Sequence, residues 1–201
     1  MTVVPELEFK EILEKENFRM PKRFIINDPS EYNGKFPVAL KVSSERITHK
    51  TEEGAVVTDI KTEEGLLDTF EVMREKFPGE TIYAEEMAKK GVEVIIGLIK
   101  DLTFGKLILL GVGGFYSELI RDVTFKRVPI DRYDAEDMIE ELRFNRLFGG
   151  YRGMKVSKEV LIDVLLKIST FSNGREFSQI DFNPVFLYED SYLIIDAKLV
   201  V

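Results

Sequence analysis

Near its C-terminus the chain carries two strand-like segments, SQIDFNPVFLYE (178–189) and SYLIIDAKLV (191–200), joined by a turn around Glu189-Asp190-Ser191. Within them stands Asp181-Phe-Asn183-Pro184, followed thirteen residues after the Asn by Asp196. A hairpin of this spacing can place an Asn amide oxygen and a carboxylate on one face of a sheet. Hard oxygen donors of that kind suit Mg2+, which keeps several waters and shares its remaining positions with phosphates. The alternative is that Asp-x-Asn-Pro only ends a strand, because both residue types are common in turns.

Composition narrows the classes that the rest of the chain can occupy. Its 201 residues, 44% of them hydrophobic, suffice for one large domain or two tightly packed small ones. A net charge of -8, from 28 basic and 36 acidic residues, argues against a general nucleic-acid surface. A phosphate site needs only a few local cations and is not excluded. With no cysteine, disulfides, zinc-thiolate sites and thiol nucleophiles are ruled out. The longest apolar run, around Leu107 to Val112, is far short of the roughly 20 residues of a membrane span. The N-terminal segment is charged and lacks the apolar stretch of a secretory signal, so a cytoplasmic location is expected, with neither membrane nor nucleic acid as partner.

Helical patterns run over Glu6 to Asn17 after Pro5, Glu63 to Lys76 before Pro78-Gly79, Asp134 to Phe144 behind an Asp cap, and Ser157 to Phe171 behind a Ser cap. Strand patterns cover Arg23 to Asn27, Phe36 to Val42, Val56 to Ile60 and Leu107 to Gly111. Two more, Thr81 to Ala88 and Val92 to Ile99, are joined by Lys89-Lys90-Gly91. Strands and helices interleave, yet several strand pairs look like hairpins. The expected class is α+β with largely antiparallel sheets, and the one plausible break lies near Glu85 to Gly91.

Lys41 sits inside an apolar strand, where it should point into a cleft, meet an anion, or guard an exposed sheet edge. Backbone groups around Glu86-Met87-Ala88 could read an adenine edge and Glu93 could accept ribose hydroxyls; the competing view is a solvated hairpin tip. Gly54, Gly113 and Gly114 let backbone amides approach phosphates, or simply make turns. Lys126 and Arg127, after the strand-like Asp122 to Phe125, could neutralise a transferring phosphoryl group, or form a solvated face. His49, the single histidine, lies in the polar loop Ile47-Thr-His49-Lys50-Thr-Glu52-Glu53-Gly54. An imidazole there can accept and pass on a phosphoryl group, although most exposed histidines are merely solvated.

Taken in order, these segments resemble the ATP-grasp β subunit of ADP-forming (NDP-forming) acyl-CoA synthetases, of which acetyl-CoA synthetase is the usual member. The likeness runs through Phe36-Pro-Val-Ala-Leu-Lys-Val42, His49-Lys-Thr-Glu-Glu-Gly54, Glu86-Met87, Gly91-Val-Glu93-Val-Ile-Ile-Gly97 and Phe104-Gly105. It continues through Gly111-Val-Gly-Gly-Phe115 with Glu118, Asp122-Val-Thr-Phe125 with Pro129, Gly149-Gly-Tyr-Arg-Gly153, Ile180-Asp-Phe-Asn-Pro-Val185 and Asp196-Ala-Lys198. The resemblance implies an ATP-grasp fold: a smaller subdomain (1–85) and a larger one (86–201) clamping ATP or ADP with Mg2+. It assigns Lys41 and Gly54 to the phosphates, with Gly113 and Gly114 beside them. Glu86, Met87 and Ala88 go to adenine, and Glu93 to ribose. Asn183 and Asp196, with Asp181 close by, would hold Mg2+. His49 would relay a phosphoryl group, with Lys126 and Arg127 neutralising it. A separate α subunit would bind CoA and form the acyl phosphate, typically in an α2β2 assembly. Three departures stand out: the shortened Tyr32-Asn-Gly-Lys35 segment, Ala55 in place of a second glycine, and Lys126 in place of an arginine. The Ala55 and Lys126 changes motivate the alternative of a catalytically weakened nucleotide-binding module that serves regulation or assembly.

Overall fold

Alternation along the strands explains how the chain divides into two layers. In the computed structural model, which describes residues 2–47, 50–114, 122–150 and 156–201, every strand pairs antiparallel. A four-stranded sheet is built from β2 (Arg23–Ile25), β3 (Val38–Ser43), β4 (Val56–Ile60) and β5 (Thr81–Glu86), in the order β2-β5-β3-β4. Val38, Leu40, Val42, Ile82 and Ala84 all face one side of it. There they meet Leu66, Phe70 and Met73 of α2 (Glu63–Lys76) in a buried core. The period of two leaves Ala39, Lys41, Tyr83 and Glu85 on the other side.

The larger, seven-stranded sheet contains β1 (Val3–Val4), β6 (Val92–Asp101), β7 (Gly105–Val112), β8 (Val123–Arg127), β9 (Gln179–Leu187), β10 (Tyr192–Ile194) and β11 (Ala197–Val200). Its order is β1-β11-β9-β6-β7-β8, with β10 also paired to β9. One face, lined by Val94, Ile96, Leu98, Ile108, Leu110 and Phe182, is covered by α3 (Arg132–Glu141) and α4 (Lys158–Phe171). Glu93, Gly97 and Asp181 lie on the opposite face. Phe9 and Leu13 of α1 (Glu6–Lys15) join the larger core, and the Phe9 ring stacks on Phe182 with centroids 6.0 Å apart.

Four details differ from the sequence expectations. The N-terminal residues, assigned above to the 1–85 unit, pack on the larger sheet: β1 pairs with β11 (Val3↔Val200), and α1 carries its apolar stripe into the same core. The segments around 81–88 and 92–99 form no hairpin. The chain instead crosses from β5 in one sheet to β6 in the other. At the crossing Gly91 passes so close to Leu187 that a Cβ would stand 2.5 Å from its carbonyl oxygen. Helix α3 begins at Arg132, because Asp131 caps it and exchanges bonds with Asp134 in a capping box. Lys126 and Arg127 belong to β8 rather than following it.

Candidate nucleotide and metal site

Lys41 stands on an interior strand, between β4 and β5, so it does not protect a sheet edge. Its face of the smaller sheet turns toward α1 and the C-terminal hairpin, and it meets anions there. The Lys41 ammonium donates to Glu85 Oε1 at 2.7 Å and to the Ile195 carbonyl at 2.9 Å, with Glu6 Oε1 3.7 Å away. Lys10 of α1 is fully buried, donates to Glu85 Oε2 (2.6 Å) and the same Ile195 carbonyl (2.8 Å), and forms an ion pair with Glu6 Oε1 (2.7 Å). Lys50 closes the set, bonding to Glu6 and, at 3.0 Å, to Asp196. Three lysines and three carboxylates thus tie the smaller sheet, α1 and the β10–β11 connection together.

Charges removed from water this way are tolerated only when paired. Burial alone would lower the Lys41 ammonium pKa, but Glu6, Glu85 and Asp196 outweigh it and hold the group above its ordinary value. The fully enclosed Lys10 is pulled down, by burial first, with nearby Lys41 adding to the effect. Burial also opposes ionisation of Glu6, yet Lys10, Lys41 and Lys50 hold its carboxyl well below the usual range. Asp196 is raised, first by burial and then by Glu6. Tyr83 lies among these groups with its hydroxyl buried and no hydrogen-bond partner among the described residues.

Beside the network opens a cleft of about 360 Å³ lined by Glu6, Lys50, Asn183, Asp196 and Lys198, among others. Two of the three expected metal ligands, Asn183 and Asp196, therefore share one cavity. The Asn183 N–H donates to the Asp196 carbonyl at 3.1 Å, which fixes the two positions across the hairpin. Asp181 pairs across the strands with Lys198 and accepts from Gln179 at 2.6 Å, and burial raises its pKa. Among the described residues no group of three or more acidic or histidine side chains could cage a metal alone. One carboxylate plus one amide oxygen, next to two lysines, suits Mg2+ that takes the rest of its shell from water and phosphate.

The other sequence candidates fall elsewhere. Glu86, Met87 and Ala88 form the crossing between the sheets. The Met87 N–H donates to the Pro37 carbonyl and Glu86 Oε1 accepts from the Lys35 N–H at 3.3 Å. Gly113 is pressed against Glu93: its N–H donates to the Glu93 carbonyl at 2.8 Å, and a Cβ would lie 3.0 Å from that residue. Gly114 is adjacent, with a Cβ site 3.5 Å from Glu93 Oε2. Gly54 adopts a positive φ of 66° in a turn pinned by Lys76, whose ammonium bonds the Glu53 carbonyl. His49 lies outside the described residues; its neighbour Lys50 is part of the cleft wall.

Comparison with known proteins gives the chain its family. A family profile described as an ATP-grasp domain matches residues 1–201. The chain is 33% identical to the Pyrococcus furiosus acetate–CoA ligase (ADP-forming) I subunit beta over 98% of its own length and 90% of that subunit. It is 34% identical to Archaeoglobus fulgidus acetate–CoA ligase (ADP-forming) II, of which it spans only a quarter of the length. The solved Ca. Korarchaeum cryptofilum dinucleotide-forming acetyl-coenzyme A synthetase 1, in complex with coenzyme A and Ca-AMPCP, superposes with a TM-score of 0.90 at 30% identity. That match covers all of this chain and 93% of that one. The chain belongs to this ATP-grasp family.

Two departures from the ATP-grasp pattern have structural explanations. Ala55 is fully buried in the smaller core, where its methyl is accommodated, and its N–H donates to the Lys50 carbonyl at 2.7 Å. Lys126 bonds Asp137 and lies 3.5 Å from Glu141, both on α3, so it points to the helix-covered face. Alternation puts Arg127 on the opposite face, with Glu93 and Asp181. Sequence reasoning passed over Glu6, Lys10, Lys50 and Glu85. The signal was present: Glu6 and Lys10 share the helical stripe of Phe9 and Leu13, a place where charge needs a buried partner.

Proposed function

We propose that this chain is the nucleotide-binding β subunit of an ADP-forming acyl-CoA ligase, and that the cleft at Asn183 and Asp196 holds the phosphates of ADP or ATP with Mg2+. One observation carries the reading. Asn183 and Asp196, residues that carry hard oxygen donors, line a single cavity with Lys50 and Lys198, next to the loop that bears His49. Its relatives support it: the Korarchaeum protein has also been solved with Mg-AMPPCP and a phosphohistidine segment pointing towards the nucleotide binding site.

In this reading Asn183 and Asp196 hold the ion, which supplies charge neutralisation along the polyphosphate. Lys50 and Lys198 offer donors to phosphate oxygens, while Lys41 fixes the Ile195–Asp196 backbone from behind. The reaction breaks the N–P bond of a phosphohistidine and forms a P–O bond to the β-phosphate of ADP, the nitrogen recovering its electron pair. Positioning and electrostatics carry most of such a transfer. Arg127 lies on the larger sheet's uncovered face and supplies positive charge there. His49 serves as the phosphoryl carrier within this subunit. Glu86, Met87 and Ala88 hold adenine, Glu93 holds ribose, and Gly54, Gly113 and Gly114 shape the loops around them. Residues 1–18 apart, the smaller sheet and residues 86–201 act as the two jaws. An α subunit, in an α2β2 assembly, supplies CoA and the acyl phosphate.

Reconstitution tests the proposal. The chain mixed with a cognate α subunit is expected to form ATP from acyl-CoA, ADP and phosphate, and Asp196→Asn to abolish most of that rate. Binding of Mg-ADP without any turnover would instead point to a nucleotide-binding module. Ala55 and Lys126, the changes that motivated that alternative, are both accounted for by packing and pairing.

A further inference from the structure

We infer that Lys10 is a positioning residue for the phosphate end of the cleft: it sets the local charge and holds Lys41 and the Ile195–Asp196 backbone without touching the nucleotide. The inference rests on the nucleotide reading above and adds a residue to it. Lys10 has no exposed surface, so no ligand in the cleft can reach it. Its ammonium donates to two acceptors, Glu85 Oε2 at 2.6 Å and the Ile195 carbonyl at 2.8 Å, and forms an ion pair with Glu6 Oε1 at 2.7 Å. Lys41 shares both groups, donating to the other oxygen of the Glu85 carboxylate, Oε1, and to the same carbonyl. Lys10 and Lys41 thus form a closed ring with one carboxylate and one backbone oxygen, and the next residue along the chain is Asp196.

Removing Lys10 has two consequences. Glu85 retains a single cation, so Lys41 is drawn to it, and the Ile195 carbonyl keeps one donor instead of two. The balance of Lys10, Lys41 and Lys50 against Glu6, Glu85 and Asp196 also shifts by one negative charge, a few ångströms from where phosphates bind. In a buried setting that change is poorly screened, and it opposes anions in proportion to their charge. A residue that only pinned α1 in place would weaken all nucleotides alike.

Calorimetric titration of the full chain with Mg-free ATP, ADP and AMP separates these cases, with a melting curve recorded for each variant. Lys10→Met is expected to weaken ATP by about tenfold or more, ADP by less and AMP least. Glu85→Gln, of opposite sign, is expected to tighten ATP, and Lys10→Met/Glu85→Gln to return within about threefold of wild type. The inference fails if Lys10→Met binds like wild type, if ATP and AMP weaken equally, or if the double variant binds no better than Lys10→Met. Should Lys10→Met not fold, Glu85→Gln decides alone: weaker ATP binding would overturn the proposal. A wild-type chain that binds none of the three ligands, either alone or with Mg2+ added, would bring down the nucleotide reading itself, a result distinct from any pattern among the variants.

Discussion

Lys41 and Lys126 are both strand lysines that face carboxylates, yet they sit in different physical worlds. At the junction of the two sheets Lys41 is 7% exposed and its partners Glu6 and Glu85 are 2% and 3% exposed. On the α3 side Lys126 is 25% exposed and faces Asp137 and Glu141 at 44% and 50%. The second set gains little from pairing, because water screens it and would solvate each group anyway. The first cannot be taken apart cheaply: each ion left behind is stranded in a medium that solvates it poorly. What separates them is which face of a strand meets a helix with charges in its apolar stripe.

The sharpest way to break the comparison is to neutralise the buried lysine. Lys41→Met strands Glu85 beside Lys10 alone and is expected to cost about 3–5 kcal/mol of folding stability. Denaturant unfolding with an unchanged m-value measures it. A loss below about 1 kcal/mol would place Lys41 with the surface pairs and remove the distinction drawn here.

Asp196→Asn probes the boundary between the two environments, since Asp196 belongs to the network through Lys50 but opens on the cleft with 42% of its side chain exposed. Its carboxyl is already raised by burial and by Glu6, so neutralising it relieves repulsion with Glu6 as well as losing Lys50. Stability should therefore change far less than in Lys41→Met, whereas Mg2+-dependent ADP affinity should fall by about ten- to a hundredfold. Equal ADP affinity with and without Mg2+ in the wild-type chain would remove Asn183 and Asp196 as ligands.

Much of this arrangement was legible in the sequence, and its limits are instructive. The spacing of the C-terminal segments pointed to strands that bring Asn183 and Asp196 together, and Lys41 inside an apolar run left a buried anion and a sheet edge as its two readings, of which the fold selects the anion. Capping chemistry located the start of α3 to within two residues, the miss arising because Asp131 and Asp134 are both competent caps and the outer one takes the role, with Asp134 completing its capping box. The strand before Gly91 looked like half of a hairpin because local patterns say nothing about which sheet a strand joins. The anion that meets Lys41 was hidden for the same reason: Glu6, Glu85 and the Ile195 carbonyl are separated from it by 35, 44 and 154 residues. Pairing across such distances is a property of topology, although a charged pair at Glu6 and Lys10 on the stripe of Phe9 and Leu13 was a usable hint.

The smallest expected effect lies at the other pole of the comparison. Lys126→Met deletes a cation whose pKa is raised mainly by its hydrogen bond to Asp137, with Glu141 contributing. Both carboxylates remain half in water once it is gone, so no charge is stranded, and the methionine stem can still cover the apolar surface between β8 and α3. The loss of stability should stay below about 1 kcal/mol and shrink as salt is added, because what is lost is a screened surface attraction. Nucleotide affinity should be unchanged, as the side chain points to the helix-covered face while the cleft opens elsewhere. A tenfold loss of ADP binding in this variant would show that Lys126 leaves Asp137 to meet the ligand, and the separation between a buried working network and a peripheral surface pair would have to be redrawn.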